Sequence, residues 1–259
     1  MKLNFKKLGG GKPIIIMHGL FGASDNWLTV GKKLADHNSV YLLDLRNHGQ
    51  SPHSDDFSFN GMVEDLLEFR SDHNLENISL VGHSLGGKIA MKYALRFPRH
   101  LDKLVIVDIS PIDRNSSNIQ FIVNIIQAMK TLDFTIIQSR KQTDESLMQE
   151  IPNLAIRQFL LKNLTREKDN SLTWKLNLSA IEQNIQILRE GVFSKKPFSG
   201  PTLFLRGGNS DYIPLQDEEL IPQLFPDAKI STIAGAGHWV HADAPVEVTN
   251  QILSFLSNK

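Results

Sequence analysis

A serine flanked by small residues is the first candidate for chemistry in this 259-residue chain. Residues 82–86 read Gly-His-Ser-Leu-Gly, which places Ser84 in the G-x-S-x-G pattern of a nucleophile elbow. An apolar, β-prone run precedes the serine, and apolar residues at helical spacing follow it. We therefore predict a strand, a sharp turn that exposes the Ser84 hydroxyl, and a helix. The N–H of Leu85, at the start of that helix, would stabilise the oxyanion that forms when Ser84 attacks a carbonyl group. The alternative is a loop rich in glycine and serine that has no chemistry.

An alcohol is a weak nucleophile, so Ser84 needs a base and a carboxylate that orients the base. His238 is the candidate base, because it lies between the last predicted strand and the last helix, at the same sheet edge as the elbow. Asp108 and Asp211 each follow a predicted strand, and sheet geometry permits either to be the acid. His241 is expected to brace the loop that carries His238.

The loop after the first predicted buried strand provides the second candidate donor for the oxyanion. Residues 18–22 read His-Gly-Leu-Phe-Gly, and their backbone can lie close to a ligand. The N–H of Leu20, or alternatively that of Phe21, is the candidate donor. His18 is interpreted as a histidine that braces the loop rather than as a base. Phe21 and Trp239 are also candidates for contact with the substrate.

Short apolar runs alternate with helical patterns over most of the chain, which predicts buried parallel strands joined by helices. The order predicts right-handed crossovers and an α/β fold, with helices on both faces of a mostly parallel central sheet. A loop at 44–51 is interpreted as self-bonded, with Asp44 paired to Arg46. The predicted strands are 13–17, 40–43, 78–81, 104–107, 201–205 and 228–233, and the predicted helices of this part are 26–36, 59–73, 88–97 and 245–256.

The alternation stops after Asp108, where we predict a helical cap over residues 113–197. The cap is an insertion within one α/β domain, which is formed by residues 1–112 and 198–259. No strong strand is predicted in it, and helical spacing occurs at 119–129, 146–150, 156–164 and 180–190. Its apolar residues either line a substrate pocket or pack against the core, and the candidates are Leu160, Leu161, Leu164, Trp174, Leu176 and Leu178.

Composition limits the partners of the chain. The 28 basic residues balance the 28 acidic residues, so we expect no nucleic-acid or membrane partner. The absence of cysteine excludes disulfides, thiolate metal sites and a cysteine nucleophile. The N-terminal residues lack the apolar region of a signal peptide, and no run approaches the length of a membrane span. We expect a cytoplasmic monomer or small homo-oligomer that needs no metal or cofactor.

Motifs spread over most of the chain resemble those of the serine hydrolases of the α/β-hydrolase fold, and more narrowly those of YbfF-type bacterial esterases and their mitochondrial relatives. This resemblance implies hydrolysis of short- to medium-chain acyl esters under a helical cap, with acyl-CoA thioesters as a further class of substrate. It also favours Asp108 as the acid, although the position of Asp211 is the commoner one in the superfamily. The matching segments are 18–27, 44–52, 81–88, 107–111, 207–210 and 236–242.

Other functions are compatible with the same residues. A C–C bond hydrolase or a cofactor-free haloperoxidase would use the same three side chains, whereas a non-catalytic ligand-binding module of this fold would need none of them. Epoxide hydrolases and dehalogenases of this fold carry aspartate at the position of Ser84, which argues against both.

Overall fold

The structure is a computed structural model that describes residues 1–112 and 118–257. The strands are β1 (Phe5–Leu8), β2 (Lys12–Met17), β3 (Asn38–Leu43), β4 (Ile78–His83), β5 (Leu101–Val107), β6 (Leu164–Arg166), β7 (Leu172–Trp174), β8 (Thr202–Gly207) and β9 (Ala228–Ile233). The α-helices are α1 (Leu28–Leu34), α2 (Phe59–Asp72), α3 (Leu85–Arg96), α4 (Asn118–Lys130), α5 (Arg140–Leu147), α6 (Leu154–Leu160), α7 (Leu178–Gln183), α8 (Ile221–Leu224), α9 (Val240–Asp243) and α10 (Pro245–Ser257). Short 3₁₀ helices occur at Ser24–Trp27, Pro98–His100, Leu161–Asn163, Ile185–Arg189 and Leu215–Glu219.

Seven of the described strands form one sheet in the order β1-β3-β2-β4-β5-β8-β9. All neighbouring pairs are parallel except β1 and β3, which are antiparallel. The mostly parallel α/β sheet predicted from the sequence is therefore confirmed. The antiparallel edge strand β1 was not predicted, because its four residues are too short for a clear pattern. Strand β4, which leads to Ser84, lies in the middle of the sheet between β2 and β5.

Alternate residues of the strands pack on opposite faces of the sheet, because side-chain direction alternates along a strand. Ile15 and Met17 belong to the apolar cluster that includes residues of α2 and α3. Ile14 and Ile16 belong to the other cluster, with residues of α1 and α10. Both faces of the sheet are thus covered, and both sides of its central strands are apolar. The carboxyl ends of these strands can therefore be held rigidly.

The chain between β5 and β8 is mainly helical, as predicted, but two details of the prediction are wrong. β6 and β7 form a two-stranded antiparallel sheet, and strands of three residues are too short to show periodicity. The helix expected at 146–150 instead spans Arg140–Leu147, begins at the N-cap Ser139, and buries only Thr143 and Leu147. Its mostly polar sequence hides the helical spacing. The predicted start of the cap at residue 113 lies outside the described residues.

Polar contacts hold this helical segment against the carboxyl edge of the sheet. The Asn163 side-chain amide donates to the Phe21 carbonyl at 2.8 Å. The Val192 N–H donates to the Pro111 carbonyl at 2.7 Å. The Lys88 ammonium, on α3, donates to the Leu188 carbonyl at 2.9 Å. The segment therefore lies over the edge that carries the candidate site.

Candidate active site

Ser84 occupies a strained turn between β4 and α3. Its φ and ψ angles are 51° and −113°, in a region that residues with a side chain rarely adopt. The turn is tight on both sides of the serine. A Cβ atom on Gly82 would lie 2.3 Å from the Gly86 carbonyl oxygen, and one on Gly86 would lie 2.5 Å from the Met17 carbonyl oxygen. Only glycine fits at these two positions, and the turn presents the half-buried Ser84 to a cavity.

Asp108 follows β5 and is fully buried, with 0% of its surface exposed. Its Oδ1 accepts a hydrogen bond from the Gly207 N–H at 2.9 Å. Its Oδ2 accepts from His238 Nδ1 at 2.8 Å and from the Ser210 hydroxyl. Three donors therefore satisfy the buried carboxylate. The contact with Ser210 was not predicted, although residues 207–210 are among the segments that carry the family resemblance.

His238 lies in the loop between β9 and α9, with its ring held on two sides. The ring stacks on Tyr212, with 3.6 Å between centroids and 16° between planes. The Asp108 carboxylate accepts the Nδ1 hydrogen, so the neutral ring leaves Nε2 as a hydrogen-bond acceptor. Ser84 and His238 line the same cavity. The Ser84 hydroxyl makes no hydrogen bond to residues 1–112 or 118–257, as is common for nucleophiles without a substrate.

The two candidate acids have different surroundings. Asp211 is exposed and lines the cavity, and within the described part of the chain its carboxylate makes no hydrogen bond or ion pair with His238. Asp108 is buried and touches the imidazole. Between the two, the structure therefore places Asp108 against the candidate base.

The loop after β2 leaves one of the two proposed donors available to an oxyanion. The Phe21 N–H donates to His48 Nε2 at 3.2 Å, so this N–H is not available to an oxyanion. The Leu20 N–H has no acceptor among residues 1–112 and 118–257. Leu85 is the first residue of α3, where N–H groups have no partner within the helix. Leu20 and Leu85 both line the cavity with Ser84.

Hydrogen bonds from the following loop support the Leu20 segment. His18 Nε2 accepts from the Leu45 N–H at 3.0 Å, so His18 braces the loop as expected. The predicted pairing of Asp44 with Arg46 is wrong. The Arg46 guanidinium instead binds Asp65 and Asp56, both at 2.6 Å, because these carboxylates approach from α2 and the segment before it.

Asp44 accepts hydrogen bonds from two loops instead of pairing with Arg46. The N–H groups of Ser24 and Gln50 donate to its carboxylate at 2.6 and 3.0 Å. Burial alone would raise the pKa of Asp44, but these hydrogen bonds lower it overall. The carboxylate therefore stays ionised and ties the loops after β2 and β3 together.

Four histidines near the site are buried and stay neutral at neutral pH. Burial lowers the pKa of His18, and it lowers the pKa of His83 far below its ordinary value. Burial, together with nearby histidines, lowers the pKa values of His48 and His241 to about 3. His241 stacks on Trp27 at 4.5 Å, in the loop-bracing position expected for it.

The cavity beside Ser84 has a volume of about 360 Å³ and a largely apolar lining. Of the residues proposed to contact the substrate, Phe21, Leu160 and Trp239 line it. Leu161 does not; its side chain is 0% exposed and packs in the core. The sequence did not single out the remaining apolar lining, most of which comes from α4 and α6: Ile109, Ile119, Phe121, Ile122, Ile125, Ile156, Phe159 and Leu188.

Residues 1–112 and 118–257 contain no group of three or more His, Cys, Asp or Glu side chains arranged to hold a metal ion. No helix in these ranges combines the length and the apolar character needed to cross a bilayer.

Known proteins share both the sequence and the shape of this chain. Residues 12–245 match the family model described as alpha/beta hydrolase fold. Mouse sn-1-specific diacylglycerol lipase ABHD11 is 40% identical over 250 residues, which cover 94% of this chain and 80% of that protein. Escherichia coli esterase YbfF is 32% identical over 265 residues, with 100% of both chains covered.

A solved structure, described as a marine microorganism esterase, agrees with this chain at a TM-score of 0.95 and 44% identity, over 98% of this chain and 99% of that one. The resemblance to YbfF-type esterases is thus confirmed by similarity over the whole chain, and the central sheet with its turn at Ser84 has the expected form. The chain belongs to the α/β hydrolase family.

Proposed function

We propose that this chain hydrolyses carboxylic esters through an acyl-enzyme on Ser84. The observation that carries the proposal is a shared cavity: Ser84, on its strained turn, faces the same space as His238, and the buried Asp108 holds Nδ1 of that ring at 2.8 Å. Nucleophile, base and orienting acid are the three groups that acyl transfer to serine requires. Relatives named as esterase and lipase support the same class of reaction.

In the first half of the reaction, Ser84 Oγ attacks the ester carbonyl carbon and its proton moves to His238 Nε2. The negative charge that develops on the carbonyl oxygen is stabilised by the N–H groups of Leu20 and Leu85. Asp108 stabilises the imidazolium without taking its proton. When the C–O bond to the leaving group breaks, His238 gives the proton to the departing alcohol.

In the second half, water replaces the alcohol. His238 Nε2 takes a proton from the water as its oxygen attacks the acyl carbon on Ser84. The bond to Ser84 Oγ then breaks, the serine recovers its proton from His238, and the carboxylic acid leaves. A thioester reacts by the same steps, with a thiol as the leaving group.

The lining of the cavity supports a substrate with an apolar acyl chain. A volume of about 360 Å³ lies at the low end of typical ligand sites, which suits short- to medium-chain acyl groups. We propose that the helical cap over residues 113–197 provides much of this lining and that acyl-CoA thioesters are a second class of substrate. Residues of the cap that line the cavity, such as Ile122 and Phe159, would contact the acyl chain.

The test combines covalent labelling with a panel of substrates. We expect a fluorophosphonate to label Ser84, and we expect p-nitrophenyl esters from acetate to palmitate to be hydrolysed with a maximum at short or medium length. Acyl-CoAs of the same lengths test the thioester class, and Ser84→Ala is the control for both assays. Labelling without hydrolysis of any ester would favour a C–C bond hydrolase or a haloperoxidase. A folded protein that is not labelled would favour a binding module and contradict the proposal.

A further inference from the structure

His83, the residue between Gly82 and Ser84, makes a contact that the reaction scheme does not use. Its Nε2 lies 2.8 Å from the backbone carbonyl oxygen of His238. A carbonyl only accepts hydrogen bonds, so His83 Nε2 carries the hydrogen and donates it. The side chain is 3% exposed, and its ring centroid is 4.8 Å from that of His238. The contact therefore joins the residue before the nucleophile to the backbone of the base.

The surroundings of His83 hold its ring in one orientation. The His241 ring meets it edge-on at 4.8 Å, and the Trp27 ring lies 6.4 Å away. On the other side, a Cβ atom on Gly19 would lie 2.9 Å from His83 Nδ1. Burial and the neighbouring His238 and His241 lower the pKa of His83 far below its ordinary value. The ring is therefore neutral, enclosed and available as a fixed donor.

The loop that carries His238 needs such an anchor. Residues 234–237 read Ala-Gly-Ala-Gly, and Gly235 has a φ of 75°. Glycines add backbone freedom, so the position of the imidazole depends on what holds this loop. The Gly237 N–H donates to Asp243 at 2.8 Å, and the Ala236 carbonyl accepts from the Asn209 N–H at 2.8 Å. Only the contact with His83 holds the backbone of His238 itself among the hydrogen bonds of residues 1–112 and 118–257.

We propose that His83 is a positioning residue that fixes the base relative to the nucleophile, by donating a hydrogen bond to the His238 backbone carbonyl. The inference rests on the proposed role of His238 as the base. Asp108 orients the imidazole at Nδ1, and His83 fixes the backbone from which that imidazole projects. Because His83 and Ser84 are adjacent, this contact ties the backbone of the base directly to the nucleophile turn and so helps to set the distance between Ser84 Oγ and His238 Nε2. Small displacements of reacting groups carry large costs in rate.

A matched pair of variants separates donation from packing. Glutamine and methionine have similar length and shape, but only glutamine carries an N–H donor near the position of Nε2. We expect His83→Met to lower kcat and the rate of fluorophosphonate labelling by about tenfold or more, with KM little changed. His83→Gln should stay within about threefold of the wild type. Equal losses in the two variants, or a His83→Met variant with wild-type rates, would overturn the inference.

Two controls separate this result from other effects. Leu34→Ala removes a buried side chain of α1 that does not line the cavity, and it should lower the melting temperature without slowing the labelling. His238→Ala tests the proposed function: labelling at the wild-type rate in that variant would remove His238 as the base. If labelling is slow in His238→Ala but normal in His83→Met, His238 remains the proposed base and only the proposed role of His83 is contradicted.

A measurement on the unaltered protein covers the case in which the His83 variants do not fold. Long-range ¹H–¹⁵N spectra of the imidazoles report which nitrogen carries hydrogen. We expect His83 to show the Nε2–H form and to keep it from pH 5 to 8. A ring with hydrogen on Nδ1 only, or one that becomes protonated in this range, would contradict the proposed donation.

Discussion

The turns at the carboxyl edge of the sheet and the helical segment between β5 and β8 both face one cavity, but they are held differently. The turns that carry Ser84 and Asp108 are each fixed by the backbone of a neighbouring strand. The Ser84 N–H donates to the Val107 carbonyl at 3.1 Å, and the Asp108 N–H donates to the Leu205 carbonyl at 2.8 Å. Backbone contacts of this kind do not depend on the side chains of the partners, so the positions of Ser84 and Asp108 are set by the sheet.

The helical segment is joined to the core mainly at isolated points, several of them through side chains. Asn163 donates to the Phe21 carbonyl, and Lys88 donates to carbonyls of the segment. The surface that it presents to the cavity consists of apolar side chains. The difference predicts a division of roles: substitutions at the turns change the rate for every substrate, whereas substitutions in the segment change which substrate is preferred.

The largest effect is expected at the turn itself. Ser84→Ala removes the nucleophile, and we expect turnover of every ester to fall by about 10⁵-fold or more. The fold should survive, because alanine fits the same turn. Steady-state hydrolysis and a thermal melt test both parts. Retention of a tenth of the wild-type activity would show that another residue attacks the substrate.

The second prediction compares the two aspartates of the sheet edge. Asparagine in place of Asp108 presents an amide that can favour the wrong tautomer of His238, so Asp108→Asn should lose about 10³- to 10⁴-fold in kcat for all chain lengths. Asp211→Asn, at an exposed carboxylate without a described hydrogen bond or ion pair to the imidazole, should stay within about threefold. The double variant shows whether one acid substitutes for the other, since redundancy would give a loss far above the product of the single effects. Collapse of Asp211→Asn alone would assign the acid to the other strand.

The third prediction tests the helical segment with adjacent leucines. Leu160 and Leu161 are both 0% exposed, but only Leu160 lines the cavity. Each change to alanine should lower the free energy of unfolding by about 2–5 kcal/mol. Only Leu160→Ala should enlarge the cavity and shift the preferred ester by several-fold in relative kcat/KM toward longer chains. The same length profile in both variants would mean that Leu160 is ordinary core.

The smallest expected effect is a pH dependence of the free energy of unfolding, and it comes from the buried histidines near the turns. The buried histidines have lowered pKa values, which are about 3 for His48 and His241. Histidines of the unfolded chain take up protons below about pH 6.5. Between about pH 6.5 and 3 the unfolded state therefore binds protons that the folded state does not, and the free energy of unfolding falls as the pH falls. The slope is roughly 1.4 kcal/mol per pH unit for each such histidine.

His241→Phe isolates one of these groups. Phenylalanine keeps an aromatic ring against Trp27 and removes both the titrating group and the buried Nδ1, which lacks a partner within the described ranges. Urea titrations at pH 7, 6 and 5 give the free energy of unfolding as a function of pH. We expect its slope below pH 6.5 to be smaller in the variant, by an amount approaching the contribution of one proton per molecule, or roughly 1.4 kcal/mol per pH unit. An unchanged slope would show that His241 does not stay neutral in the folded protein.

The candidate site was partly readable from the sequence because some of its requirements are local. The turn at Ser84 needs small residues at Gly82 and Gly86, a strand before it and a helix after it, and all of these lie within one short stretch. The alternation of strands and helices also follows from local periodicity, which is why the parallel sheet was predicted. Short or polar elements carry little periodicity, so β1, β6, β7 and the bounds of α5 were missed.

The sequence by itself determined the nucleophile turn, the α/β alternation and a short set of partners for Ser84. Tertiary structure alone decided which members of that set meet. Asp108 and His238 are 130 residues apart, Ser210 and Asp108 are 102 apart, and His83 reaches His238 across 155 residues. Such contacts depend on the order and register of strands in the sheet. No periodicity within one segment encodes them.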